Sequence, residues 1–306
     1  MKRDLVSIKD LSIKEVEEIF ALTDQLKKNK AKFSKVLAGK TIALIFQKPS
    51  NRTLVSFSVG MYQLGGNSVY LAHNEINLGV RESVEDVAKT LSLYVEGIVL
   101  RTFAHKTVED LAKFAAVPVI NGLSDFSHPC QGLADVYTVK EKLKKTKGVT
   151  LAYVGDGNNV CHSLLFACAK VGMNMNAGCP KGYEPDSKVL VDVKAIAKST
   201  GAVINLFNDP KDAAKAADVI YTDVWASMGQ EEEAQKRKQV FKDYQVNKDL
   251  LNSAKKKCLI MNCLPAHRGE EISDEAMDSP DSVIFDQAEN RMHVQKAILI
   301  KLLGEK

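Results

Sequence analysis

Nowhere in its 306 residues does the chain carry the roughly 18 to 20 consecutive apolar residues that a membrane span requires. Its first residues, Met1-Lys2-Arg3-Asp4, lead into polar sequence rather than an apolar h-region, so no signal peptide is expected. The six cysteines (130, 161, 168, 179, 258 and 263) include no C-x-x-C pair and no metal-ligand spacing with histidine. They read as reduced thiols of a cytoplasmic protein. Charge of one sign is also lacking: 42 Lys+Arg against 38 Asp+Glu leave only +4. No basic run alternates with stacking aromatics, so no nucleic-acid partner is expected. Lysines at 142–147 and 255–257 read as solvated helix ends or loops. Eighteen glycines and eight prolines are too few for a collagen-like chain, and 45% hydrophobic residues are too many for a disordered one. No internal repeat or low-complexity segment is present.

What is present is a chain long enough for two domains, each able to bury its own core. Ser12 and Glu15 match a capping box, and Ile13, Val16, Ile19, Phe20, Thr23 and Leu26 then repeat at helical spacing. From Thr41 the rhythm changes to short apolar runs separated by amphipathic stretches of roughly 8 to 17 residues. The runs are Thr41–Phe46, Ser68–Leu71, Ile98–Leu100 and Val117–Ile120. After a Lys-rich helix ending near Lys147 come Val149–Val154, Met173–Ala177, Val203–Leu206, Val219–Tyr221, Cys258–Met261 and Val283–Phe285. Apolar strands alternating with helices predict α/β architecture: two domains, each a parallel sheet flanked by helices. The expected boundaries are 1–147 and 148–286, with a final helix over 287–306 packing back on the first domain.

In open parallel sheets ligands bind beyond the carboxyl ends of the strands. After the first run stand Ser50-Asn51-Arg52-Thr53 and a helical stretch from Leu54 to Leu64; hydroxyls, backbone N–H groups and an arginine at a helix start suit an anion. Arg101 follows the third run. His128-Pro129-Cys130-Gln131 opens a helix after the fourth. Together they suit a small phosphorylated molecule. In the second half, Gly155-Asp156-Gly157-Asn158-Asn159, Asp223 to Gly229 and Asn262-Cys263-Leu264-Pro265 stand at corresponding places. Amide, carboxylate, hydroxyl and thiol there suit an amino acid's ammonium and carboxylate groups. Glu289-Asn290-Arg291 adds a further cation.

Ser50-x-Arg52-Thr53, Arg101, His128-Pro129-Cys130-Gln131, Asp223-x3-Ser227-Met228-Gly229 and Cys263-Leu264-Pro265-Ala266 together resemble the ornithine carbamoyltransferase family, in order and over nearly the whole chain. The resemblance implies transfer of a carbamoyl group from carbamoyl phosphate to the δ-amine of L-ornithine, giving L-citrulline and phosphate, in arginine biosynthesis. It implies an active site in the cleft between the domains, a first domain for carbamoyl phosphate and a second for ornithine. Ser50, Asn51, Arg52, Thr53 and Arg101 would hold the phosphate. Arg52, Arg101 and His128 would face the carbonyl oxygen, where charge develops. Gln131 would orient the carbamoyl amide, Pro129 and Cys130 would share its pocket, and Arg291 would close from the second domain. Asn159, Asp223, Ser227 and Met228 would bind ornithine. Cys263 and Leu264 would line the reacting centre, with the Cys263 sulfur near the δ-amine. No metal or organic cofactor is needed, since carbamoyl phosphate is already activated. The family normally forms trimers with shared sites, and Asn77 stands where a glutamine usually reaches the neighbouring subunit's ligand.

Three further positions depart from the family: Asn51 for Thr, Leu54 for Arg and Asn262 for His. Asn51 retains hydrogen-bonding capacity, Leu54 has no binding role, and Asn262 keeps an amide without a titratable imidazole. A dehydrogenase reading of Gly155-x-Gly157 fails because position 160 is Val and no acid lies between Val171 and Gly182. A Cys/His hydrolase built on His128 and Cys130 lacks a third orienting group. Cys130, Cys161 and Cys168 read as core-packing residues. Within the superfamily the alternatives are another amine acceptor, such as putrescine or an acylated ornithine, and a non-catalytic homologue.

Overall fold

The computed structural model describes residues 2–226 and 231–304, which divide into two compact units. The first comprises residues 1–134 and 290–306, the second 135–289. The division therefore falls inside a helix rather than at 147, because that helix and the final one each contribute to both units.

In the first unit, helix α1 (Ile13–Lys28) starts on the reciprocal Ser12/Glu15 capping box that the sequence predicts. Strands β1 (Thr41–Phe46), β2 (Asn67–Ala72), β3 (Gly97–Arg101) and β4 (Val119–Leu123) form a parallel sheet in the order β2-β1-β3-β4. Between them run α2 (Asn51–Gln63), α3 (His73–Ile76), α4 (Val84–Leu91) and α5 (His105–Phe114), and α6 (Pro129–Leu143) leads out. β3 is buried along its whole length and β1 at all but its first residue, since helices cover both faces. β2 is an edge strand with Val69 and Tyr70 exposed.

The second unit orders its five parallel strands β7-β6-β5-β8-β9. These are β5 (Thr150–Val154), β6 (Asn174–Gly178), β7 (Ile204–Phe207), β8 (Val219–Thr222) and β9 (Leu259–Asn262). Helices α7 (Asn159–Val171), α8 (Ser187–Thr200), α9 (Pro210–Ala214), α10 (Ala234–Phe241), α11 (Lys248–Leu251) and α12 (Asp274–Met277) intervene, and α13 (Ile284–Leu303) ends the chain's regular structure. Ala152, Val154, Ile220, Ile260, Phe241 and Trp225 belong to its buried core. One sequence expectation is corrected here: Val283–Phe285 is not a strand. Val283 N–H bonds the Ile260 carbonyl at 3.0 Å, and α13 begins at the next residue, three positions ahead of the expected helix start. A three-residue apolar run has too little periodicity to tell the first turn of a helix from a strand.

Both sheets reverse their direction of growth beside their first strand. In the first, β2 lies on one side of β1 and β3 on the other; in the second, β6 and β8 flank β5. Loops leaving β1 and β3, and those leaving β5 and β8, consequently diverge and open a crevice at the strand ends. Ser50 to Thr53 and Arg101 stand at the first switch point and Asn159 and Asp223 at the second, while His128 to Gln131 follow edge strand β4 and Cys263 and Leu264 follow edge strand β9.

Candidate active site

In the first unit the switch point gathers positive charge. Ser50 is the N-cap of α2, its Oγ accepting from Thr53 N–H at 3.3 Å, which leaves other N–H groups of the first turn to face a ligand. Arg52 sits in that turn, and its Nε is buried with no hydrogen-bond partner among the described residues. Arg101, the last residue of β3, pairs in register with Phe46, the last of β1, and is 6% exposed. Arg291 falls in the first unit with the rest of residues 290–306, rather than closing from the second; its Nη2 donates to Thr53 Oγ1 at 2.8 Å. His128 is buried just ahead of α6. Burial, reinforced by the charges of Arg291, Arg101 and Arg52, pushes its imidazole well below the ordinary histidine range. His128 is therefore neutral at physiological pH.

The remaining residues of this group take different places. Gln131 is buried in the first turn of α6. Cys130 points its thiol into the interior, 3.8 Å from the Asn121 carbonyl, where burial raises its pKa to about 12. Its side chain is a packing element, as the first reading of the cysteines expects. Asn77 adopts φ 42° in the loop after α3. Asn51 is exposed, and Leu54 is half-buried. Lys48, absent from the sequence reading, is buried with Nζ 4.1 Å from the centroid of Phe103.

The second unit's switch point is built around a carboxylate. Asp223 follows β8 and is 5% exposed. Its Oδ1 accepts from the Cys263 thiol at 3.0 Å and from Val224 N–H at 2.8 Å; its Oδ2 accepts from Asn158 Nδ2 at 2.8 Å. Burial, with Asp223 next in weight, drives the Cys263 thiol well above its usual range, so it acts as a neutral donor rather than a thiolate. Asn158 is a residue the sequence reading missed. Its Oδ1 caps α7 at Val160 and Cys161 N–H (3.0 and 3.1 Å), which aims Nδ2 at Asp223, whereas Asn159 is the first helical residue. The available signal was the asparagine in an N-cap position before an apolar helix. Leu264 takes φ 57°, with its N–H on Asn262 Oδ1 at 2.7 Å. Ser227 and Met228 lie outside the described residues.

Two structural facts weigh against a dinucleotide here. Gly157 N–H bonds the Tyr183 carbonyl at 2.8 Å, and a Cβ on Gly157 would meet Pro185 N at 2.2 Å. Protein backbone fills the space where a pyrophosphate would have to approach such a loop.

The comparisons agree with this division of chemistry. Residues 3–141 match the profile of the aspartate/ornithine carbamoyltransferase carbamoyl-P binding domain, and residues 147–302 match that of the Asp/Orn binding domain. The chain belongs to the aspartate/ornithine carbamoyltransferase family. An ornithine carbamoyltransferase of Thermococcus kodakarensis is 53% identical over 304 residues, spanning 99% of this chain and 96% of its own. An anabolic ornithine carbamoyltransferase of Pyrococcus furiosus is 52% identical with the same coverage. Among solved structures, ornithine carbamoyltransferase from Pyrococcus furiosus superposes with a TM-score of 0.96 at 51% identity, covering 100% of this chain and 98% of that one. The Gloeobacter violaceus ornithine carbamoyltransferase gives 0.90 at 46% identity, with 98% of each chain covered. Aspartate/ornithine carbamoyltransferase membership also accounts for the two parallel sheets, which the sequence pattern predicts.

Proposed function

We propose that this chain transfers the carbamoyl group of carbamoyl phosphate to the δ-amine of L-ornithine, releasing L-citrulline and phosphate. The observation that carries the reading is the collection of Arg52, Arg101, Arg291 and a neutral His128 in the first unit, with Asp223, which accepts from three donors, in the second. The first set suits a dianion. Its members deliver guanidinium and N–H donors to phosphate oxygens, and Arg52 Nε is a buried donor available for one. Asp223 suits an ammonium. Support for ornithine as the acceptor also comes from the names and high identity of the relatives.

In the reaction, the uncharged δ-amine attacks the carbonyl carbon and a C–N bond forms while the carbonyl π pair moves to oxygen. Arg52, Arg101 and the ring N–H of neutral His128 stabilise that oxyanion. The pair then returns, the C–O bond to phosphate breaks, and a proton passes from the nitrogen to a phosphate oxygen. Gln131 orients the carbamoyl amide, and Cys263 and Leu264 line the reacting centre. Asn159, Ser227 and Met228 complete the reading of ornithine's α-substituents. Most of the acceleration is orientation and fixed charge, for which no added group is required. The first unit and the second are thus assigned to carbamoyl phosphate and ornithine respectively, and the direction is biosynthetic, as the name of the Pyrococcus relative supports.

The reading extends to assembly and location. Val55, Val59 and Tyr62 lie exposed at helical spacing on α2, beside exposed Val69 and Tyr70 of edge strand β2. We assign this apolar surface to a homotrimer contact, across which Asn77 would reach a neighbour's ligand. Among the described residues no helix is long and apolar enough to cross a membrane, and all six thiols are free, which supports a reducing cytoplasm.

A colorimetric citrulline assay tests the function. Product is expected from carbamoyl phosphate plus ornithine and not when putrescine or aspartate replaces ornithine. Turnover of putrescine alone would assign the chain to another acceptor, and no turnover with any amine would leave it a non-catalytic homologue.

A further inference from the structure

The second unit contains a buried polar cluster that the reaction above does not use. Asp135 on α6, Tyr221 on β8 and Gln287 on α13 are each at most 1% exposed. Gln287 Nε2 donates to Asp135 Oδ1 at 2.7 Å and to the Tyr221 hydroxyl oxygen at 3.2 Å, and that hydroxyl donates to Asp135 Oδ2 at 3.0 Å. With a carboxylate on its nitrogen side, the Gln287 amide has only one orientation. Its Oε1 must face the other way, and there it accepts from Asn262 N–H at 3.1 Å. Tyr221 is itself held by stacking on Tyr153, ring centroids 5.8 Å apart.

Asn262 ends β9 and precedes Cys263, and Leu264 beyond them sits in the left-handed region at φ 57°. A branched residue holds such a conformation only where its surroundings over-determine it. The Asn262 side chain supplies one restraint through Leu264 N–H, and Gln287 supplies another through the Asn262 backbone. We propose that Gln287 is a positioning residue for Cys263: locked by Asp135 and Tyr221, its amide oxygen fixes the Asn262–Leu264 turn so that the thiol stays on Asp223. The role rests on the reading of Cys263 as lining the reacting centre. An apolar side chain of equal length would fill the same space but leave Asn262 N–H without its acceptor in the interior and withdraw a donor from Asp135.

The test compares wild type with Gln287→Met and with the double variant Asp135→Asn, Gln287→Glu. Three quantities are measured: kcat, the KM for carbamoyl phosphate, and the rate at which iodoacetamide modifies Cys263, read on its own peptide by mass spectrometry. Gln287→Met should lower kcat by about tenfold, the effect of one buried hydrogen bond left unmade. The KM for carbamoyl phosphate should stay put, and Cys263 should be modified several-fold faster as it leaves Asp223. Asp135→Asn combined with Gln287→Glu exchanges the amide and the carboxyl, keeps an oxygen for Asn262 N–H and a donor facing it, and should return both quantities toward wild type. Equal modification rates in wild type and Gln287→Met would overturn the proposal, as would a double variant no better than the Met one. Should the Met variant fail to fold, Gln287→Asn withdraws the acceptor by one methylene and keeps an amide. It is expected to move the modification rate the same way, and an unchanged rate there overturns the proposal too. Modification needs no turnover, so a wild-type protein that makes no citrulline counts against the proposed reaction and not against this role.

Discussion

The Cys263 sulfur lies 3.0 Å from Oδ1 of Asp223, and at neutral pH it is the thiol that donates and the carboxylate that accepts. Replacing the donor distinguishes its contact from its bulk. Cys263→Ser, which keeps a donor, should raise the ornithine KM less than Cys263→Ala does. Both should leave the carbamoyl phosphate KM unchanged. Initial-rate kinetics at saturating carbamoyl phosphate measure the difference.

Arg52 is the residue whose loss should cost most in the first unit. Removing one oxyanion donor typically costs about 10²- to 10³-fold in kcat, and Arg52→Ala should lose at least that much. Near-normal turnover in the purified, folded variant would sink the assignment of Arg52 to the carbonyl oxygen.

Asn158 joins two tasks in one amide, and a substitution can separate them. Asn158→Asp keeps an oxygen to cap α7, a contact of about 1 kcal/mol, but sets a second carboxylate against Asp223. The expected result is a melting temperature near wild type with an ornithine kcat/KM reduced by about tenfold or more. A variant that loses stability and activity in parallel would reduce Asn158 to a helix cap.

Glu271 gives the fold a pH signature. Its side chain is buried, with Oε1 on His267 N–H at 2.7 Å, and burial raises its pKa from 4.5 to about 7. Between those values the unfolded chain has released a proton that the folded protein still holds. Stability attributable to Glu271 is therefore full below about pH 4.5, falls as pH rises toward 7, and is flat above, for a total of about 3 kcal/mol at most. His128 acts in the opposite sense, since its depressed pKa withdraws stability as pH falls below 6.5. The two overlap in the wild-type curve. Subtracting the unfolding free energies of Glu271→Gln from those of wild type between pH 5 and 8 should isolate the falling component, and a flat difference would contradict it.

Charge placed on the exposed face of α2 should break the homotrimer proposed above. Val55→Glu with Tyr62→Glu is expected to shift sedimentation from trimer to monomer while leaving the circular dichroism of the fold intact. An unchanged sedimentation coefficient would move the interface elsewhere.

Much of this molecule was legible from periodicity and strand-end chemistry, and what was not has physical causes. The runs at 41–46 and 219–221 are β-strands because their apolar residues are buried on both faces, a pattern visible without coordinates. The positions of Arg52, Arg101 and His128 in the fold were legible because each ends a strand or opens a helix beside one. Gln287 and Asp135 were not: 152 positions separate them, and nothing local marks either as half of a contact. The choice between Asn158 and Asn159 depends on which side chain turns back to cap the helix, a matter of one residue that composition does not record. The division within the last helix was equally hidden, since α13 reads as one uninterrupted helix although its residues divide at 289/290.

The discontinuity of the first unit has a consequence for synthesis. Residues 135–289 form one stretch and can fold as soon as they leave the ribosome, but the unit that begins at the N-terminus is finished last. Lys27 bonds Asn290, Lys40 bonds the Leu303 carbonyl, and Arg291 reaches Thr53. Until those late residues emerge, the nascent chain carries a four-stranded sheet whose Gly97 lacks Leu303 against it and whose anion site lacks its third arginine. The anion affinity proposed for Arg52, Arg101 and Arg291 is therefore complete only once α13 has joined the first unit, so it is acquired later than the sheet that frames it.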